Sequence, residues 1–94
     1  MGIVWTDEAL DDLAEILTYY HAKAGPQTAA TVERRIVGQI EGLAPFPERI
    51  RESDRFPGAR ELVVSHLPYI VFLKRLSENL VVLNIVHTPR KFPT

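Results

Sequence analysis

The chain has 94 residues, 46% hydrophobic and 24% charged, which predicts one small globular domain spanning residues 1–94. It contains no cysteine, so disulfides, thiolate metal sites and cysteine nucleophiles are excluded. The acidic start lacks the basic region of a secretory signal, and no apolar run approaches the roughly 18 residues that a membrane span requires. We therefore expect a soluble, cytoplasmic protein with no membrane contact.

The net charge of −1 conceals an uneven distribution of charge along the chain. Residues 1–48 carry three basic and eight acidic side chains, a net charge of −5, whereas residues 49–94 carry eight basic and four acidic ones, a net charge of +4. A positive half favours an anionic partner, either nucleic acid or an acidic protein segment. Small proteins also carry uneven charge without any such partner, and both interpretations stay open at this point.

The first half predicts a short strand followed by two helices. The β-branched and aromatic residues at 3–5 are typical of a strand, and Thr6 follows as a helix N-cap with acidic residues in the first turn. Apolar residues then recur with helical spacing as far as the Gly-Pro pair at 25–26, which ends the first helix. A second helix is predicted at about 27–43, and the short connection implies an antiparallel helical hairpin.

The second half predicts an irregular connection and then three strands. Residues 49–58 are polar, charged and interrupted by a Pro-Gly pair, which is typical of a loop. Strands are predicted at 60–65, 69–76 and 80–87, and their connections are so short that neighbours must be antiparallel. With both helices on one face, the chain is predicted to be a two-layer α+β fold: an N-terminal strand, an antiparallel helical hairpin and a three-stranded antiparallel sheet.

The last predicted strand is apolar on both of its faces. Strict alternation divides it into two sets, Val81, Leu83, Ile85 and His87 against Leu80, Val82, Asn84 and Val86. Because two helices cover only one face of such a sheet, we expect exposed apolar surface on the other. That surface favours an obligate partner or self-association over a free monomer.

Basic residues and a histidine lie at the ends of the predicted strands. Arg60 begins one strand, Arg75 ends the next and His87 ends the last. Antiparallel order would bring Arg60 near Arg75 but would place His87 beside Tyr69, at the opposite end of the sheet. A metal-independent ribonuclease needs a base, an acid and a cation that converge on one phosphate. The alternative is structural: Arg60 pairs with Glu61 or caps a loop, and His87 is an edge residue.

The sequence contains no pattern that would bind a metal or a cofactor. The three histidines have no ligand spacing, the acidic face of the first helix reads as solvated, and glycine-rich phosphate loops and Ser-His-Asp arrangements are absent. We therefore expect neither a metal nor a cofactor. Three phenylalanines lie in connections or the tail, beside prolines and basic residues, where protein interfaces place apolar anchors: Phe46, Phe56 and Phe92.

Three segments, taken in order, carry a family resemblance over nearly the whole chain. They are WTDEALDDLAEILTYY, LAPFPERIRES continuing to FPGARELVVSHLPYIVFLKR, and VVLNIVHTPRKFP. The most specific pieces are GARELVV, PYIVF and the closing pattern VxxIVHxxRxxP. These segments resemble the RelE/ParE family of type II toxin–antitoxin toxins. The resemblance implies a small cytoplasmic toxin with the fold predicted above, and an antitoxin that wraps it through an extended and helical segment.

The RelE/ParE family contains two activities. RelE-like members cleave mRNA in the ribosome with basic residues and a Tyr or His base near the C-terminus, whereas ParE-like members poison DNA gyrase. The chain lacks the lysine-rich helix end and the C-terminal tyrosine of the nucleases, and its ending with His87, Arg90 and Pro93 is more similar to ParE. Its FLKR segment departs from the tyrosine-containing ending common at that place.

The resemblance therefore implies a ParE-like gyrase inhibitor that arrests growth, functions in plasmid stabilization and is neutralised by a ParD-like antitoxin in a hetero-oligomer. It implies no catalytic residue, and the residues expected to bind target or antitoxin are Arg60, Arg75, His87, Arg90, Lys91 and Phe92. One alternative is a ribosome-dependent mRNA endonuclease in which Arg60 steadies the phosphate and His87 is the acid or base. Another is a non-toxic remnant that only binds its partner.

Overall fold

The computed structural model describes residues 2–88, which form one strand, two helices and then four strands. The elements are β1 (Gly2–Trp5), α1 (Asp7–Ala24), α2 (Pro26–Leu43), a 3-10 turn (Pro47–Arg49), β2 (Arg51–Glu52), β3 (Arg60–Val63), β4 (Tyr69–Leu76) and β5 (Asn79–His87). The predicted α+β class is confirmed, with its N-terminal strand, helical hairpin and antiparallel sheet. Neither helix within residues 2–88 combines the length and hydrophobicity that crossing a membrane demands.

The helical hairpin begins and turns where the sequence predicted. The Thr6 hydroxyl accepts a hydrogen bond from the Ala9 amide at 3.0 Å, which satisfies one of the free amides at the start of α1. Gly25 separates the two helices and has a φ of 93°, a left-handed conformation that a side chain would strain. Pro26 then starts α2 at the position where its missing amide costs nothing.

The sheet has five strands in the order β1-β5-β4-β3-β2, two more than the three predicted antiparallel neighbours. β1 lies parallel to the first half of β5, and all the other pairs are antiparallel. β2 corrects the prediction of an irregular connection over 49–58: Arg51 pairs with Glu61 and Glu52 with Arg60. A two-residue strand has no periodicity, so the pattern of the sequence could not reveal it.

A β-bulge in β5 overturns the predicted alternation of that strand. Phe72 of β4 pairs with Asn84, but the next residue of β4, Leu73, pairs with Val82, so Leu83 is an extra residue. The extra residue reverses the phase of the strand beyond it. As a result Ile85 lies in the core with Leu80 and Val82, not with Val81 and Leu83 as strict alternation predicted.

The core lies between the hairpin and one face of the sheet. Its fully buried side chains come from α2, the loop after it and the central strands: Ile36, Ile40, Ile50, Val64, Val71, Leu73, Leu80 and Val82. The opposite face of the sheet, which we call the outer face, carries those side chains of β4 and β5 that alternate along each strand with the buried core residues. Val4, Val63 and Leu76 are 45%, 62% and 49% exposed on the outer face. The exposed apolar surface that the sequence predicted is therefore present.

Candidate functional site

The three proposed residues that lie within the described part of the chain do not form one cluster. Arg60 begins β3, Arg75 lies near the end of β4, and His87 ends β5. Arg60 and Arg75 lie near each other, because Arg60 pairs with Leu73, two residues from Arg75 along β4. The other three candidates, Arg90, Lys91 and Phe92, lie outside the described residues 2–88.

The Arg60 side chain is engaged with the backbone. Its Nη1 donates a hydrogen bond to the Ile50 carbonyl at 2.7 Å, and the side chain is half-buried on the helix-facing side of the sheet. It therefore holds the loop after α2 against β3, which is the loop-capping alternative raised from the sequence. The other alternative, a pair with Glu61, does not form, because Glu61 points to the outer face and bonds Ser53 and Arg55.

Arg60 and His87 lie far apart in the sheet. They pair with Leu73 and Tyr69 of β4, four residues apart, and lie on opposite sides of that strand. Four residues of strand span about 13 Å, and two strand spacings span about 10 Å. The Cα atoms of Arg60 and His87 are therefore roughly 16 Å apart. Contact with a single scissile phosphate would require the Arg60 side chain to reach towards His87, whereas it is bonded to the Ile50 carbonyl.

His87 packs against a tyrosine that is held in its neutral form. The ring centroids of His87 and Tyr69 are 5.3 Å apart, and the Tyr69 ring is buried. Burial raises the pKa of the Tyr69 phenol above its ordinary value, and a hydrogen bond with Tyr20 raises it further. Tyr69 therefore does not supply the phenolate that a general base would need near neutral pH.

A cleft that the sequence did not predict separates α1 from the second half of β5. Two adjoining depressions of about 350 and 480 Å³ form it, and we call it the α1–β5 cleft. Its lining residues come from α1 on one side and from β4, β5 and the connection between β3 and β4 on the other: Glu8, Asp12, Glu15, Ile16, Tyr19, Tyr20, Pro68, Tyr69 and 84–87. The sequence did show that Glu8, Asp12 and Glu15 share one face of a helix. It did not show which strand that face lies against, because the contact is between residues far apart in the chain.

Side chains of α1 bind the backbone of β5 at the bulge. The Thr6 hydroxyl donates to the Leu83 carbonyl at 2.7 Å, and the Ile85 amide donates to the Asp12 carboxylate at 2.9 Å. β1 ends opposite Val82, so these two bonds replace the strand pairing that stops there. The start of α1 thereby fixes the second half of β5.

A second groove, of about 390 Å³, lies on the outer face. Phe56, from the loop at 53–59, packs edge to face against Phe72 with 5.1 Å between the ring centroids. Phe56 is nevertheless 52% exposed, as is typical of an apolar anchor at a protein interface. Glu61 holds this loop in place: Ser53 donates to its carboxylate at 2.7 Å and Arg55 pairs with it at 3.2 Å. Among the described residues, Glu61 is the charged side chain that is buried.

Comparisons with known proteins agree on one family. The family model described as the ParE toxin of the type II toxin–antitoxin system parDE matches residues 3–92. A solved structure titled as the chromosomal ParDE TA system from P. aeruginosa superposes with a TM-score of 0.85 and 27% identity, covering 94% of this chain and 96% of that one. A search of curated protein sequences finds no match.

Proposed function

Because the chain belongs to the ParE toxin family of type II toxin–antitoxin systems, we propose that it inhibits DNA gyrase and is neutralised by a ParD-like antitoxin. Inhibition here means binding rather than chemistry, so the proposal requires no catalytic residue and no cofactor. Gyrase acts on chromosomal DNA, which places the proposed activity in the cytoplasm and makes growth arrest its outcome. His87, Arg75 and the tail residues Arg90, Lys91 and Phe92 are proposed to contact the target or the antitoxin.

The observation that carries the antitoxin half of the proposal is the exposed apolar outer face. Val4, Val63, Leu76 and Phe56 are each exposed by two-fifths or more of their surface. Apolar surface gains about 25 cal/mol for each Å² removed from water, so covering this face stabilises a complex. Several exposed apolar residues on one face of a sheet are typical of an interaction site in a soluble protein. An antitoxin segment is the partner that the family provides.

Gyrase inhibition is favoured over mRNA cleavage by the placement of the polar groups. Arg60 and His87 lie on opposite sides of β4, and Arg60 is occupied by the Ile50 carbonyl. The Tyr69 phenol beside His87 is held neutral by its raised pKa. A nuclease would need these groups to converge on one phosphate, whereas a binding surface does not.

Inducible expression in bacteria, with and without a candidate antitoxin frame beside the gene, tests the proposal. We expect filamentation, an SOS response and DNA breaks without the antitoxin, and normal growth with it. Purified chain should also inhibit supercoiling by purified gyrase. Immediate translation arrest with cuts at codon positions in mRNA would instead support the endonuclease. Normal growth without any antitoxin, from chain that is demonstrably folded, would support the non-toxic remnant.

A further inference from the structure

The larger depression of the α1–β5 cleft is walled mainly by aromatic rings. It measures about 480 Å³, within the range of about 300–1,000 Å³ that small-molecule sites occupy. Tyr19 and Tyr20 of α1 line it on one side, and Tyr69 and His87 line it on the other. Glu15 is the carboxylate among its lining residues. The depression therefore combines several rings with a negative charge.

The four rings form one connected cluster. The centroids of Tyr19 and Tyr20 are 5.3 Å apart, and the planes of these two rings are nearly perpendicular, at 87°. The centroids of Tyr69 and His87 are also 5.3 Å apart, with the planes inclined by 56°. A hydrogen bond between the side chains of Tyr20 and Tyr69 joins the two pairs. Rings set at large angles around one space are the arrangement by which proteins recognise quaternary ammonium groups.

The charge around the rings favours a cation. Glu15 borders the ring-lined depression, and Glu8 and Asp12 line the smaller depression beside it. Within the described part of the chain, no lysine or arginine is among the lining residues of either depression. Lys23 approaches from outside them: its Nζ lies 6.0 Å from the centroid of the Tyr19 ring, at the limit of a cation–π contact. An ammonium group of the chain itself is thus already drawn to one of these rings.

The kind of cation follows from the small number of free hydrogen-bond acceptors. A primary ammonium has three N–H donors, and burying it is costly unless each donor finds an acceptor. The side chains of Tyr20 and Tyr69 are bonded to each other, so these residues offer π surface rather than free oxygen atoms. A trimethylammonium group has no N–H donor and spreads its positive charge over apolar methyl groups. It therefore suits both the rings and the nearby carboxylate of Glu15.

We propose that the ring-lined depression binds a small quaternary ammonium compound, with its trimethylammonium group against Tyr19, Tyr20 and Tyr69 and its charge beside Glu15. The chemical class is that of choline, in which a trimethylammonium head carries a short polar chain. The head lies among the rings, and the polar chain extends to solvent. The inference goes beyond the proposed function and is independent of it, because it requires neither gyrase nor an antitoxin.

Proton NMR of choline, titrated with the purified full-length chain, tests the proposal. Ring currents move N-methyl protons that lie over aromatic faces to higher field, and we expect a shift that saturates. The matched probe is dimethylbutanol, the neutral analogue that has a carbon atom in place of the choline nitrogen. Its binding should be at least about tenfold weaker, because cation–π attraction and the charge of Glu15 act only on the cation. Equal binding of the two compounds, or a choline shift that does not saturate, would overturn the proposal.

Exposed rings provide variants that keep the core intact. Tyr19 is 55% exposed, so Tyr19→Leu removes a ring of the depression without removing core packing, whereas Tyr19→Phe keeps the ring and removes only the hydroxyl. We expect choline binding to weaken about fivefold in Tyr19→Leu and by less than about twofold in Tyr19→Phe. Phe46→Leu is the matched control, because Phe46 is also exposed and has a cation, Arg49, over its ring at 4.6 Å. It should leave choline binding unchanged.

A matched pair of carboxylate changes tests the contribution of charge. Glu15→Gln removes the carboxylate of the depression, and Glu41→Gln makes the same change at an exposed position of α2 outside the cleft. We expect the first change to weaken choline binding about threefold and the second to have no effect. Unchanged binding in Tyr19→Leu would overturn the proposal. So would equal effects of Tyr19→Leu and Phe46→Leu, or equal effects of the two carboxylate changes.

Discussion

The Asp12 carboxylate accepts a hydrogen bond from the Ile85 amide at 2.9 Å, across 73 residues of sequence. This bond joins the second turn of α1 to the strand just beyond the β5 bulge. It satisfies an amide that β1 is too short to reach, because β1 ends opposite Val82. The orientation of His87, two residues further along the strand, depends on that bulge remaining in place.

Asp12→Ala should lower the free energy of unfolding by about 1–3 kcal/mol, because it leaves the half-buried Ile85 amide without its acceptor. Asp11→Ala is the matched control, since it removes the same charge from the same helical turn at an exposed position. Urea denaturation of both variants measures the difference. Equal destabilisation would show that Asp12 acts through helix charge rather than through the bulge.

The sequence predicted most of the fold and little of the site, for a physical reason. Thr6 was recognisable as an N-cap because capping depends on neighbours in the chain, and β4 was recognisable from a long apolar run. The β5 bulge depends on Thr6 and Asp12, which are 77 and 73 residues from their partners, so no local pattern encodes it. For the same reason the bond from Arg60 to the Ile50 carbonyl was one of several open possibilities.

Tyr69 should make the stability of the protein fall at alkaline pH. Its pKa is raised in the folded state by burial, so above a pH of about 10 the unfolded chain releases a proton that the folded chain keeps. The stabilisation is complete below that pH and is lost as pH rises further. For this one group, the free energy of unfolding should fall by up to about 1.4 kcal/mol per pH unit. Tyr69→Phe should remove that part of the slope.

Urea denaturation at several alkaline pH values compares the two proteins, and phenolate absorbance provides an independent reading. The chain has three tyrosines, and in the unmodified protein one phenol should ionise only as the protein unfolds. That late step should be missing from Tyr69→Phe. Identical alkaline slopes in the two proteins would contradict the assignment to Tyr69.

Arg60 should affect toxicity through folding, not through catalysis. Arg60→Ala removes the donor to the Ile50 carbonyl and should cost about 1–3 kcal/mol of stability. Arg75→Ala, at an exposed position of β4, should cost less than about 0.5 kcal/mol. Gyrase inhibition by purified Arg60→Ala, measured at a temperature where the variant is folded, should approach that of the unmodified chain. A fully folded but inactive variant would show that Arg60 contacts the target.

Glu61 should control the position of the 53–59 loop on the outer face. Glu61→Ala removes the acceptor for Ser53 and the partner of Arg55, so the loop should become more accessible. Trypsin cleavage after Arg55 measures this, and we expect it to be faster in Glu61→Ala than in Glu52→Ala, where an exposed carboxylate is removed nearby. Equal cleavage rates would mean that the Phe56 contact with Phe72 holds the loop alone.

The outer face should be the surface that the antitoxin covers. Two exposed apolar residues, one on this face and one on a helix, test this prediction. Val63 is 62% exposed on β3 at the outer face, and Leu10 is 49% exposed on α1. Each can be changed to aspartate with little loss of packing, because each is already in contact with water. Val63→Asp places a charge inside the proposed interface and should weaken antitoxin binding by about tenfold or more, whereas Leu10→Asp should not. Titration calorimetry with the cognate antitoxin measures both, and a larger loss in Leu10→Asp would move the interface from the sheet to the helix.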